Sequence, residues 1–361
     1  MTSTTKKFLE FVFSAKNEDC YKVITILGVR FKFKLKYKVL ESKIKDVESK
    51  LNNIESNINN VIATTGAPQI ATNDINTKID NIAALLMLSV DIRNIPKSVN
   101  LTGKIQQVSF GILKEFDRVC RKYNLKYWLD YGTMLGAKRH RGFVPWDDDI
   151  DVGMMYDDYC EFLRVFNDEF RNTNYGLVVV PSQIGKICHK QFMPSTKDET
   201  VKFINWELEG KLSFALDIFP FYNLKKEISK ERARDELQKL ISRKSKCHRE
   251  NSQYEGFLNA DKIVNETRER LSQQSESNYI FLGTETMTTN PDIRSVDDMF
   301  PLKELSFEEG RFYVPKNIEY ILTGRYGDYM AFPSNLNFRH IKNDTIDKSE
   351  LQKLETILNS K

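Results

Sequence analysis

Residues 127–153 read YWLDYGTMLGAKRHRGFVPWDDDIDVG, and this run decides the fold class. Asp149 and Asp151 stand two residues apart near its end. Side chains alternate across a strand, so the spacing predicts both carboxylates on one face, with Ile150 and Val152 buried on the other. Two hard oxygen donors on one face suit Mg²⁺ or Mn²⁺, which bridges phosphate oxygens and neutralises charge as a bond breaks. Asp147 and Asp148 lengthen the acid run, and Asp148 is expected to turn away from Asp149 and brace the loop. Upstream, Gly132 and Thr133 follow a strand expected over 126–130. Glycine permits close backbone approach, and the threonine hydroxyl is expected to cap the next helix and leave its first amides facing a phosphate.

Further along, Asp217 lies alone among apolar residues in the strand-like run 213–219. A lone buried aspartate is costly unless a metal or a hydrogen-bond network compensates it, so Asp217 is the expected third acid, as metal ligand or general base. A glycine–hydroxyl turn followed about 16 residues later by Asp-x-Asp, with a third acid on a later strand, matches the pattern of nucleotidyltransferase folds. Arg139, in the basic run 138–141, is positioned to pair with a donor phosphate; Lys138 and Arg141 are weaker candidates.

The rest of this region reads as mixed α and β. Helical periodicity marks 101–123 and 156–170, the latter with acids in its first turn, while β-branched and aromatic residues mark strands at 176–181 and 200–206. Residues 225–275 are heavily charged and read as a helical excursion. Cys188-His189 and Cys247-His248 lack the spacing of a standard zinc site. Trp146, Trp206 and Tyr222 are candidates for stacking on a base or caging an ammonium, although such residues more often fill a core.

Before residue 97 the character changes. Residues 22–38 hold no acid, and from Arg30 basic and apolar residues alternate strictly. That pattern suits either an anionic membrane surface or an edge strand protected by lysines, and no partner strand is evident. Tyr37, Leu40, Ile44, Val47, Leu51, Ile54, Ile58 and Val61 then recur in steps of three and four, predicting a coiled coil and self-association. The expected organisation is a basic-aromatic segment at 1–36, a coiled coil at 37–63, a helical linker at 64–96, a catalytic domain at 97–345 and a C-terminal helix or tail at 346–361.

Composition narrows the class. A net charge of +4 from 54 basic and 50 acidic residues gives no argument for nucleic acid. Five irregularly spaced cysteines fit a reducing, cytoplasmic compartment rather than a disulfide framework. The longest apolar stretch, 83–90, is far below the roughly 20 residues that span a bilayer, so any membrane contact is expected to be peripheral.

The motifs Gly-Thr-x-Leu-Gly-Ala-x-Arg-His from Gly132, Phe-Val-Pro-Trp-Asp-Asp-Asp-Ile-Asp from Phe143 and Asp-Ile-Phe-Pro from Asp217 resemble the signatures of the LicD family. The likeness resumes at 307–315 and 326–330, followed by His340. It implies a nucleotidyltransferase-like α/β fold and a divalent metal, with transfer of a phospho-alcohol from a CDP-linked donor to a glycan hydroxyl at the inner membrane face. Carried onto this sequence, Asp149 and Asp151 match the paired metal acids, Asp217 the later acid, and Gly132 and Thr133 the phosphate-side turn. Nucleotidyl transfer by the same fold, or an inactive membrane-tethered scaffold, are the alternatives.

Overall fold

The computed structural model describes residues 91–179, 185–193, 215–250, 253–282, 291–332 and 348–359, with the backbone of three earlier strands. The chain divides into two units, residues 1–90 and 91–361. In the first, β1 (Phe13–Glu18), β2 (Tyr21–Ile26) and β3 (Val29–Lys34) form an antiparallel meander. The alternating basic segment therefore has a partner: β3 pairs with β2 along its length, Lys32 opposite Val23 and Lys34 opposite Tyr21. Sequence pattern missed the pairing because β2, YKVITI, lies in the same acid-free stretch and does not share the strict alternation of β3. The coiled coil at 37–63 and the linker up to residue 90 lie outside the described residues, as does the strand expected at 200–206.

The second unit begins with a 3-10 turn at Ile92–Asn94 and α1 (Leu101–Lys122), whose Asn100 side chain accepts from the Thr102 amide as N-cap. There follow β4 (Tyr127–Leu129), α2 (Tyr131–His140), β5 (Ile150–Met155), α3 (Tyr156–Glu169), β6 (Tyr175–Val179), β7 (Gly185–His189) and β8 (Ala215–Leu224). The charged excursion forms α4 (Lys230–Glu250) and α5 (Gln253–Leu271). Beyond it come β9 (Ser272–Gln273), β10 (Tyr279–Leu282), β11 (Ile293–Ser295), α6 (Val296–Met299), the hairpin of β12 (Lys303–Phe307) and β13 (Gly310–Val314), α7 (Ile318–Tyr326) and α8 (Lys348–Asn359).

The main sheet is mixed, ordered β11-β10-β8-β5-β4, and β7 also pairs with β8. Alternation along the central strands sorts side chains to two faces. Ile150, Val152, Leu216 and Ile218 join Phe116 and Phe162 of the helices α1 and α3 in the larger core. Phe116 packs edge-on against Tyr127 at 5.0 Å and tilted against Phe162 at 4.9 Å. Each such aromatic, fully removed from water, contributes about 1.5–3 kcal/mol. The opposite face carries Trp128, Phe219 and Phe221. Gly153 sits opposite Trp128, and a Cβ there would overlap the indole, so only glycine leaves the ring its place. The excursion covers the end of β8 through Leu237, Leu240 and Val264 against Tyr222 and Leu224. Tyr222, offered by sequence as a stacking residue, is core.

Candidate functional site

Among the described residues, β5 and β8 form the one parallel pair, and their register sets Asp151 beside Asp217. On the far side of β8, Lys186 of β7 pairs with Asp217, its ammonium 2.5 Å from the Asp217 carboxylate. On the far side of β5, Asp130 follows β4 and its backbone N–H donates to the Asp151 carbonyl at 2.9 Å. Lys186, Asp217, Asp151 and Asp130 thus make one row across four strands, on the face shared with Trp128 and Phe221.

Asp147, Asp148 and Asp149 approach this row from a segment that precedes the strand, which begins at Ile150. Carboxylate oxygens of all three lie within 4.8 Å of one another. The expectation that Asp148 turns away is therefore corrected: strand alternation does not extend back to 147–149, and the loop gathers the three acids. Gln106 of α1 fixes that loop, donating to the carbonyls of Val144 at 3.2 Å and Asp147 at 2.7 Å.

The electrostatics are lopsided. Burial pushes the Asp151 carboxyl well above its ordinary range, and the charges of Asp149, Asp217, Asp147 and Asp130 push it further. Two carboxylates about 4 Å apart repel by about 4 kcal/mol at an effective dielectric near 20; Lys186 pairs with Asp217, and Arg139 acts on Asp147. An all-oxygen, crowded acidic set with a buried member whose charged form is disfavoured fits a hard divalent cation. Cys188-His189 offers no alternative: among the described residues the acid trio at 147–149 is the one group with metal-ligating geometry, and His189 accepts from the Gln191 amide as a turn cap.

The turn at 130–133 corrects a second expectation. The N-cap of α2 is Asp130, whose carboxylate accepts from the Tyr131 amide at 2.8 Å. Thr133, buried one turn in, instead accepts the Asp151 amide proton on its hydroxyl at 2.9 Å. Its hydroxyl therefore holds the acid strand in place. Gly132 faces the Asp147 carboxylate so closely that a Cβ would collide with it.

Arg139 is buried, not solvated. It donates to the Tyr329 carbonyl at 2.6 Å and to His140 Nε2 at 2.9 Å, its guanidinium lies 5.7 Å from the Trp146 ring, and burial lowers its pKa to about 10. Lys138 is engaged with Glu319, and Arg141 terminates α2 in a left-handed conformation.

Sequence reasoning missed a buried charge cluster behind the turn. Arg294 bonds Asp130 at 2.9 Å and Asp292 at 2.6 Å, and Arg325 bonds Asp292 at 2.5 Å. Burial, and the charges of Asp151, Asp130 and Asp147, raise the phenol of Tyr326 against the opposing pull of Arg325. Asp130 gave one signal, an acid directly before Gly-Thr in N-cap position; its partners are too distant in sequence for spacing to reveal.

Residues 124–249 match the family model described as LicD/FKTN/FKRP, nucleotidyltransferase domain. Over 70 residues the chain is 49% identical to the lipopolysaccharide cholinephosphotransferase LicD of Haemophilus influenzae, covering 19% of this chain and 26% of that protein. An uncharacterized protein of Rickettsia prowazekii is 40% identical over 94 residues, 26% of this chain and 34% of the relative. The human ribitol 5-phosphate transferase FKRP is 48% identical over 42 residues, 11% of this chain and 8% of that protein. The chain thus spans well under half the length of each of these relatives. Matched motifs and the acid row across β5 and β8 lie in the same stretch, and the chain carries a nucleotidyltransferase domain of the LicD family.

Proposed function

We propose that this protein transfers a phospho-alcohol from a CDP-linked donor to a hydroxyl of a cell-surface glycan, with release of CMP. The observation that carries the reading is the juxtaposition of Asp149, Asp151 and Asp217 at the centre of a domain whose relatives are named as cholinephosphate and ribitol phosphate transferases. Asp149 and Asp151 would hold Mg²⁺ or Mn²⁺, with Asp217 completing the set. The ion supplies neutralisation of the donor phosphates.

This chain's own groups do the remainder. Thr133 and Asp130 hold both backbone groups of Asp151, fixing its carboxylate before any donor arrives. Lys186 orients the Asp217 carboxylate, which either completes the metal set or takes up the proton of the acceptor hydroxyl. Gly132 lets the Asp147 carboxylate pack against the turn, and Arg139 lends positive charge beside Asp147. Residues before 91 serve placement: the basic strand β3 meets an anionic cytoplasmic membrane face and the heptads at 37–61 join chains. No helix among the described residues is long and apolar enough to cross a membrane.

The deciding experiment incubates the full chain with CDP-choline, CDP-ethanolamine and CDP-ribitol, each with Mg²⁺ and a glycan acceptor, and follows CMP. Release of CMP with phospho-alcohol on the glycan is expected. Appearance of free phosphocholine, phosphoethanolamine or ribitol phosphate together with a nucleotidylated glycan would replace phospho-alcohol transfer by nucleotidyl transfer, and no turnover of any donor would overturn the reading.

A further inference from the structure

We infer that Tyr131 is a positioning residue, a strained tyrosine clamped by Asp292 and Arg325 that sets the location of Asp151; the inference rests on the reading of Asp151 as one of the reacting acids. Tyr131 opens α2 with φ +39, a region that residues with a side chain seldom occupy. Such a conformation persists only when its surroundings over-determine it. Here they do. The Tyr131 hydroxyl donates to Asp292 at 3.3 Å, the Arg325 guanidinium lies 4.0 Å from the ring centre, Phe219 meets the ring edge-on at 5.2 Å, and the backbone N–H donates to Asp130 at 2.8 Å.

These contacts close on themselves. Asp292 accepts from Arg294, and Arg294 bonds Asp130, the residue before Tyr131. The residues flanking Tyr131 are the ones that grip Asp151: the Asp130 amide takes its carbonyl, and the Thr133 hydroxyl takes its amide. Rotation of the backbone at Tyr131 would move those two grips relative to each other, and Asp151 with them. The clamp is also formally neutral, Asp130 and Asp292 against Arg294 and Arg325, so it does little to relieve the repulsion among the site acids. Its contribution is geometric. Asp292, Arg294 and Arg325 all lie beyond residue 249, where the family match ends, so a distant part of the chain tunes the motif.

The test uses the full chain with Tyr131→Phe, which removes the bond to Asp292 but keeps the ring under Arg325, and Tyr131→Gly, which suits the backbone angle but abolishes the clamp. Three quantities are read: the melting temperature without metal, the dissociation constant for Mn²⁺ alone, and the separate kcat and KM for the donor. Tyr131→Phe is expected to lower kcat about tenfold with KM within about twofold, and Tyr131→Gly to lower kcat about a hundredfold. Mn²⁺ affinity should fall about tenfold in Tyr131→Gly. Wild-type Mn²⁺ affinity in Tyr131→Gly overturns the inference, as does a loss of kcat that simply follows the fraction unfolded. If the unaltered chain turns over no donor, the functional reading fails, and the Mn²⁺ titration alone still decides the role of Tyr131.

Discussion

Asp151 carries a charge that its surroundings disfavour, through burial first and then through Asp149, Asp217, Asp147 and Asp130. Its folded pKa lies above its unfolded one, so between the two the folded chain binds more protons, and metal-free stability is lost as pH rises through that window. Asp151→Asn should therefore raise the metal-free melting temperature at pH 7, each pKa unit relieved being worth about 1.4 kcal/mol, while abolishing turnover and the stabilisation by Mg²⁺. A variant that melts lower without metal, or keeps its turnover, contradicts the account. His140 runs the other way: burial, then the neighbouring Arg139 charge, lowers it from 6.5 to about 4. The unfolded chain takes up that proton first, so stability falls as pH drops from 6.5 toward 4, and His140→Gln should flatten this part of a melting-temperature profile. The acids were legible as a cluster but not as a strand face: Asp151 lies on β5, while Asp149 belongs to the loop before it, where alternation no longer holds. Asp292, Arg294 and Arg325 were not legible, since they meet Asp130 and Tyr131 only through tertiary contacts more than 150 residues apart in sequence.

Helical periodicity located α1 and α3 to within a residue or two, and the excursion was recognised from its heavy charge and sparse apolar residues, of which Leu237 and Leu240 turn out to pack on Tyr222 and Leu224. The roles of connecting pieces were harder to read. The hairpin of β12 and β13 has a turn whose Glu308 sits at φ +51, donates its N–H to the Arg141 carbonyl, accepts from the Phe143 amide at 3.2 Å and pairs with Lys97. No pattern along the sequence says that a hairpin turn at 308 holds the loop at 141–143. Glu308→Ala loses the carboxylate contacts while keeping a Cβ at an angle that resists one. It should cost about 1–3 kcal/mol in denaturant unfolding. Glu308→Gly, which relaxes the backbone, should cost less; equal losses would locate the whole effect in the side chain.

At the scale of the whole chain, the proposed function assigns placement to the unit before residue 91 and chemistry to the unit after it, and the division after Val90 makes the two separable by truncation. Residues 91–361 alone should release CMP from a soluble donor at close to the full-chain rate, yet sediment as a monomer and fail to bind anionic vesicles. Vesicle binding by the full chain should weaken with salt, as Arg30, Lys32 and Lys34 each contribute about 1 kcal/mol through screened charge. A truncated chain that still binds vesicles would remove the tether from the account. The clamp around Tyr131 has a consequence in time. During synthesis Asp130, Asp151, Asp217, Asp292 and Arg325 leave the ribosome in that order, and at 5–20 residues per second about 10 to 40 s separate the first from the last. Throughout that interval the nascent chain carries its acids with no finished scaffold to aim them, and translation must pass residue 325 before the site can mature.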